Sequence, residues 1–211
     1  MSAPAAPLLD RLVLAVTGSG ALRDRIAAGL QELGASVGGA SDDLGAIDAV
    51  AHVMSADGIV DRPLVETDRD AWDRGAEAPI RETLAVLQGA FPELSESGGA
   101  IVLVVPTIAL TGAPGLVALA AAAEGIRLLG KSAARAWGVH GIRVNTITAP
   151  LGEWAIEQQD ANVVPSKFGP SLPERDVAAD IAAAVGFLCG PSSGGISGAT
   201  LGVDRGTLMA P

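Results

Sequence analysis

Thr17-Gly18-Ser19-Gly20 follows the apolar run Leu12–Val16 and leads into Ala21–Leu33, where Leu22, Ile26, Leu30 and Leu33 recur at helical spacing. A glycine turn between a buried strand and a helix can present backbone N–H groups to a phosphate, because a helix leaves its first amides outside its own hydrogen-bond ladder. Arg23, in the first turn of that helix, either attracts the same anion or stands in solvent. Other chemistry-bearing residues are few. His52 and His140 are widely separated, Cys189 is the one cysteine, and there is no Tyr at all. A phenolic acid, base or nucleophile is thereby excluded, as are an intramolecular disulfide and a cysteine-based zinc site. His52, beside the apolar Val53-Met54, reads as a packed histidine, His140 as a turn residue, and Cys189, after Phe187-Leu188, as a buried inert thiol. Two distant histidines give a metal site little support, and Asp57 and Asp61 flank a loop as solvated carboxylates.

Charge narrows the partners. Lys and Arg number 14 against 24 Asp and Glu, a net charge of −10, with a pI near 4.5. Such a surface repels phosphate backbones and anionic lipid heads, so neither nucleic acid nor membrane is expected as a partner. Met1 to Asp10 lacks the basic start and apolar segment of a secretion signal, and no charge-free apolar stretch approaches the roughly 20 residues of a membrane span. A soluble cytoplasmic protein is expected. With 211 residues and a mean hydropathy of +0.40, the chain reads as one core-forming domain over 1–211.

The elements that must position these residues alternate. Strands are expected at Leu12–Val16, Ala35–Val37, Ala49–Met54, Ile101–Val105, Ile142–Ile147 and Thr200–Val203. Between them lie helices over 21–33, from Thr67-Asp68-Arg69-Asp70 to about Phe91 with Pro92 ending it, from Pro114-Gly115 to Trp137 with Gly138 stopping it, and from Pro173-Glu174 through Cys189. A short helix is expected near Trp154–Gln159. The alternation predicts an α/β fold, a three-layer doubly wound parallel sheet of Rossmann type.

With that order in place, the chain resembles the short-chain dehydrogenase/reductase family, nearest to its ketoacyl-reductase-like members. The resemblance is strongest over Gly98–Pro150, in Gly99-Ala100-Ile101-Val102 and in the segment from Ala136 through Gly141-Ile142-Arg143-Val144-Asn145. Thr67–Trp72, Glu174-Arg175-Asp176-Val177-Ala178 and Ser197–Asp204 extend it over most of the chain. Family members carry a Tyr and a Lys four residues apart on the long helix, a Ser thirteen residues before the Tyr, and a supporting Asn on an earlier helix. Aligned through Lys131-Ser132-Ala133-Ala134, those positions fall on Leu119, Ala123, Pro106 and Pro79. None of the four side chains can transfer a proton. Thr107, next to Pro106, is a displaced candidate for the Ser, although a one-residue slip after a strand turns a side chain away. No catalytic residue is therefore expected, and Pro79 should kink its helix.

The family's cofactor loop is altered as well. Thr17, Gly18, Ser19, Gly20 and Arg23 form a turn one residue shorter than the family pattern, with Ala21 and Arg23 where later glycines would stand. Only Gly38–Asp48 separates the second and third strands, too little for a helical crossover, so the sheet is expected to be shortened on its adenine-binding edge. Asp42 and Asp43 are the only acidic candidates there for a ribose. No NAD(P) is expected to bind.

In the long helix the charged Glu124, Arg127, Lys131 and Arg135 fall on one narrow stripe, which leaves a wide apolar arc that asks for cover on two sides. In the family the corresponding helices, about 70–91 and 115–137 here, and the C-terminal segment form subunit contacts. The resemblance thus implies a non-catalytic subunit that pairs with an active homologue, or a homodimer. Two alternatives stand beside it: an oxidoreductase using displaced groups such as Thr107, Arg23 or Lys131, and a binding module with an apolar acyl or aromatic pocket near Pro106, Leu119 and Trp154.

Overall fold

The computed structural model describes residues 9, 10, 12–39, 46–57, 59, 61–154 and 170–209. Six parallel strands form one sheet in the order β2-β1-β3-β4-β5-β6. They are β1 (Val13–Gly18), β2 (Ser36–Gly38), β3 (Ala49–Val53), β4 (Gly99–Pro106), β5 (Ile142–Ala149) and β6 (Thr200–Gly202). Order reverses direction at β1, the switch point where a sheet of this kind opens a crevice beyond its strand ends. β2 is an edge strand of three residues, and ten residues, 39–48, connect it to β3 on the other side of β1. Asp42 and Asp43 lie outside the described residues.

Helices α1 (Ala21–Glu32) and α6 (Val177–Cys189) cover one face. Leu22, Ile26 and Leu30 of α1 and Ile181, Val185 and Leu188 of α6 share a buried cluster with Val102 and Val104 of β4. On the other face, α3 (Ala78–Leu94), the four-residue α4 (Ile108–Thr111) and α5 (Val117–Trp137) bury Leu87, Ile108, Leu119 and Ile126 against Ile101, Leu103 and Val105. Alternate residues of β4 thus feed two opposite cores, which is why its sequence is apolar without a break.

Several boundaries differ from expectation for local reasons. The helix expected from residue 67 is composite: α2 (Arg69–Trp72), capped by the Asp68 carboxylate on the Ala71 N–H at 2.8 Å, then a π-turn over Asp73–Glu77, then α3. Pro79 sits in the first turn of α3, and the wider turn just before it supplies the irregularity that a missing N–H demands. Gly75 in that turn allows close approach to α5, since a Cβ there would meet the Ala118 Cβ at 2.8 Å. Pro92 lies inside α3, which runs on to Leu94. Gly138 opens a short 3₁₀ turn, and the left-handed residue that ends the unit is Gly141 (φ +72°). The turn after β5 is a 3₁₀ helix at Leu151–Trp154, and the rest of the short helix expected there lies outside the described residues.

Residues at the heart of the resemblance hold this frame. The Arg143 guanidinium donates to the carbonyls of Leu188, Cys189 and Gly190 and to the Ser193 hydroxyl, closing the C-terminal end of α6. The Asn145 amide spans the connection before β6, donating to the Ile196 carbonyl at 2.8 Å and accepting the Ala199 N–H at 3.0 Å. The Asp204 carboxylate accepts the N–H groups of Gly206 and Leu208 after β6.

Candidate functional site

Two stretches at the carboxyl ends of the strands bear on chemistry. The first is the turn between β1 and α1. Gly18 (φ +99°) lies so close to β3 that a Cβ would stand 2.0 Å from the Val53 carbonyl oxygen, so this glycine is required for strand packing. Gly20 (φ +89°) is different: a Cβ there would meet nothing within 4 Å, and the start of α1 opens outward with no side-chain cap. Arg23 turns back to give Nε and Nη2 to the Val16 carbonyl at 3.2 and 2.8 Å, and Nη1 to Asp24 at 3.0 Å. Its guanidinium is thus tied to the end of β1. Across the turn, Ser19 Oγ donates to the exposed Asp57 carboxylate at 2.7 Å and lies 3.1 Å from Ser55 Oγ, which also donates to Asp57 at 3.3 Å. Asp57 is therefore built into the rim of the turn, a contact that spacing alone could not reveal because it joins residues 38 positions apart.

The second stretch is the end of β4 with the start of α5. Leu119 and Ala123 are fully buried in the cluster under α3 and α5, and Pro106 closes β4 opposite Ala149 of β5. Thr107 is buried, donates its N–H to the Ala149 carbonyl at 2.8 Å, and leaves its hydroxyl oxygen without a hydrogen-bond partner. Beside Leu119, a cavity of about 40 Å³ is lined by Ile59, Arg62, Arg74 and Gly75 among others. That volume suits a water and not an acyl chain. Trp154 does not join this stretch. Its indole N–H caps the Met54 carbonyl at 2.7 Å, and the ring packs on the cluster beneath α1 and α6. The apolar pocket expected from Pro106, Leu119 and Trp154 is therefore not assembled, because Leu119 and Trp154 belong to opposite faces of the sheet.

A buried polar chain runs from β1 through β3 to α3. Thr83 Oγ1 donates to the Pro79 carbonyl at 2.9 Å, so it accepts from His52 Nε2 at 3.1 Å, and His52 Nδ1 accepts from Thr17 Oγ1 at 2.9 Å. The pattern requires neutral imidazole with its proton on Nε2. Burial agrees, pushing the His52 pKa down to about 4. His52 is the packed histidine its strand position implied. His140 is exposed and stands edge-on to Phe91, with ring centroids 5.3 Å apart. Burial raises the Cys189 thiol to about 12, which leaves it no thiolate at neutral pH. Among the described residues no group of three His, Cys, Asp or Glu could hold a metal ion, and no helix is long and apolar enough to cross a membrane.

Comparison with known proteins decides the family. A family model described as enoyl-(acyl carrier protein) reductase matches residues 28–207. The chain belongs to the short-chain dehydrogenase/reductase family. A (3R)-3-hydroxyacyl-CoA dehydrogenase of Mus musculus is 31% identical over 162 residues, which cover 74% of this chain and 62% of that protein. A 12alpha-hydroxysteroid dehydrogenase of a Clostridium species is 28% identical over 207 residues, 95% of this chain and 76% of that one. The chain thus spans less than two thirds of the first of these relatives. Two solved structures show the same fold. A blue fluorescent protein from a metagenomic library, in complex with NADPH, superposes with a TM-score of 0.73 at 23% identity, covering 95% of this chain and 99% of that one. The enoyl-[acyl-carrier-protein] reductase (NADH) of Aquifex aeolicus gives 0.74 at 17% identity, covering 94% and 97%.

These relatives overturn the expectation that no cofactor belongs to a short-chain dehydrogenase/reductase of this sequence. One solved neighbour holds NADPH, another is named for NADH, and the named sequence relatives are dehydrogenases. The shortened turn reads as filling the pyrophosphate's place with a side chain, from Ala21 or Arg23, where later glycines would stand. Instead Arg23 folds back onto Val16, and Gly20 leaves the helix start open. A dinucleotide's diphosphate fits there, where the backbone of Gly20, Ala21 and Leu22 would hold it at the positive end of α1.

Proposed function

We propose that this chain is a subunit of a short-chain dehydrogenase/reductase assembly in which the oxidoreductase activity resides in a partner homologue carrying the complete Ser, Tyr and Lys set. The observation that carries this proposal is the burial of Leu119 and Ala123, both 0% exposed, in an apolar cluster at the positions where the family places its proton donor and its lysine. A bound nicotinamide dinucleotide supplies or accepts hydride, and the turn at Gly20 is where this chain would hold it. Every residue of 1–211 serves one such domain.

Partnering is supported by the outer surface of α3 and α5. Ile80 of α3 lies against Gly125 of α5, where a Cβ would stand 3.3 Å from Ile80 Cδ1. One turn further along each helix, Leu84 is 41% and Leu128 59% exposed. Apolar side chains left on the outside of two packed helices favour burial against another subunit. The partner is a homologous chain, either a complete family member or a second copy.

The test is purification of the chain alone and co-expressed with a complete homologue, followed by NAD(P)H-linked assays with hydroxyacyl and enoyl thioesters. Co-elution of the pair, with turnover in the pair and none in the chain alone, is the expected result. Turnover by the isolated chain would reject the proposal in favour of a second reading, an oxidoreductase with a displaced carbonyl-binding group. Thr107 is the observation favouring that second reading, since its buried hydroxyl has no partner and sits beside the family's Ser position. In that case Thr107→Val abolishes the turnover.

A further inference from the structure

The polar rim of the β1–α1 turn is acidic, and this bears on how tightly the turn holds a dinucleotide. Ser19, one residue before the opening at Gly20, donates to the Asp57 carboxylate at 2.7 Å, and Ser55 donates to the same oxygen at 3.3 Å. Partial burial, and after it the negative charge of Asp57, raises the pKa of a second carboxylate, Glu82 of α3. Asp24 stands in the first turn of α1 and is exposed. The nearest cation on the helix, Arg23, is already engaged by Asp24 and the Val16 carbonyl. Polar backbone at a helix start attracts an anion, whereas these carboxylates repel it.

We propose that Asp57 sets the affinity of the turn for nicotinamide dinucleotides: its carboxylate, held on Ser19 and Ser55, opposes the diphosphate that the amides of Gly20–Leu22 would receive. This rests on the assignment of the turn as the dinucleotide seat. Asp57 is fixed in place by two hydroxyl donors, whereas the charge of Asp24 is already met by Arg23. Ser19 and Ser55 thereby serve as positioning residues for a charge and not as ligands of the phosphate. Removing one negative charge from this exposed rim is expected to tighten phosphate binding by about tenfold.

The experiment measures binding of NADH, NADPH, ADP and adenosine to the wild-type chain and to Asp57→Asn by titration calorimetry, at low and at physiological salt. Asp57→Asn is expected to bind NADH and ADP about tenfold more tightly than wild type. Adenosine, which has no phosphate, should show no difference between the two proteins. Added salt screens an exposed charge, so it should narrow the gap between them. A Glu32→Gln variant, which removes an exposed charge at the far end of α1, should stay within about twofold of wild type, and thermal unfolding of each variant confirms that it is folded. Equal NADH and ADP affinities for wild type and Asp57→Asn overturn the proposal while leaving the turn as the seat. A gain that extends equally to adenosine also overturns it. Failure of both folded proteins to bind any phosphate-bearing probe at millimolar concentration overturns it together with the assignment of the seat. Neither outcome touches the partner-subunit proposal, which is read from co-elution and turnover.

Discussion

The β1–α1 turn and the β4–α5 junction both lie at the carboxyl ends of the strands, with β3 between them, yet they handle sequence change differently. At the turn, the groups that matter are backbone amides and glycine dihedrals. Losing a residue from the loop and placing Ala21 and Arg23 after it still leaves a strand, a turn and an open helix start. At the junction, the groups that matter to the family are side chains. Where the resemblance puts them stand Leu119 and Ala123, both buried in apolar core, and Pro106. Backbone-built recognition survives substitution because every residue but proline carries the same amide. Side-chain chemistry does not survive, because an alkyl group has no proton to give.

The sharpest way to break this contrast is to truncate Leu119. If the junction is packed core, Leu119→Ala leaves a cavity and lowers stability by about 2–5 kcal/mol in urea unfolding. A loss below about 1 kcal/mol would mean that the site collapses or is hydrated, as a functional pocket would be. Second in size is the response to pH of the polar chain from β1 through His52 to α3. The folded-state pKa of His52, about 4, lies below the unfolded value of 6.5, so as pH falls the unfolded chain takes up the proton first. Its contribution is fully present above pH 6.5 and is lost between 6.5 and 4, in total about 3 kcal/mol. About 2 kcal/mol of this should be gone by pH 5, where most carboxylates are still ionised. Unfolding curves at pH 7 and 5 should show the drop in wild type and a much smaller one in His52→Gln. The smallest effect belongs to Thr107. Its hydroxyl is already without a partner, so Thr107→Val should change stability by less than about 1 kcal/mol, and in the stabilising direction. A larger loss would show that the hydroxyl does bond in solution, and would favour a polar role for the junction.

Much of the frame was legible in sequence. Continuous apolar runs marked β1 and β4 because strands buried on both faces need no alternation, and the recurrence of Leu22, Ile26 and Leu30 marked the buried face of α1. The resemblance, not spacing, put the family's catalytic positions on Pro79, Pro106, Leu119 and Ala123, and the structure places Leu119 and Ala123 in buried core. What failed were inferences across elements. Trp154 was expected beside Leu119, yet the 3₁₀ turn after β5 sends it to the opposite face to cap Met54. Arg23 was expected to fill or attract at the turn, yet it bonds the Val16 carbonyl seven residues back. The expected absence of a cofactor rested on that same placement, and the relatives correct it. Asp57 was read as solvated because nothing local distinguishes it, and only the pairing of β1 with β3 brings it to Ser19.

By itself the sequence determined the alternation of strands and helices, the missing phenol and the alkyl groups at four family positions, because residue type and local period are properties of the chain alone. Tertiary structure decided which carboxylate rims the glycine turn, which tautomer His52 carries and which face receives Trp154. Each of those depends on groups from separate elements meeting within hydrogen-bond distance, and strand order, not chain order, brings them there.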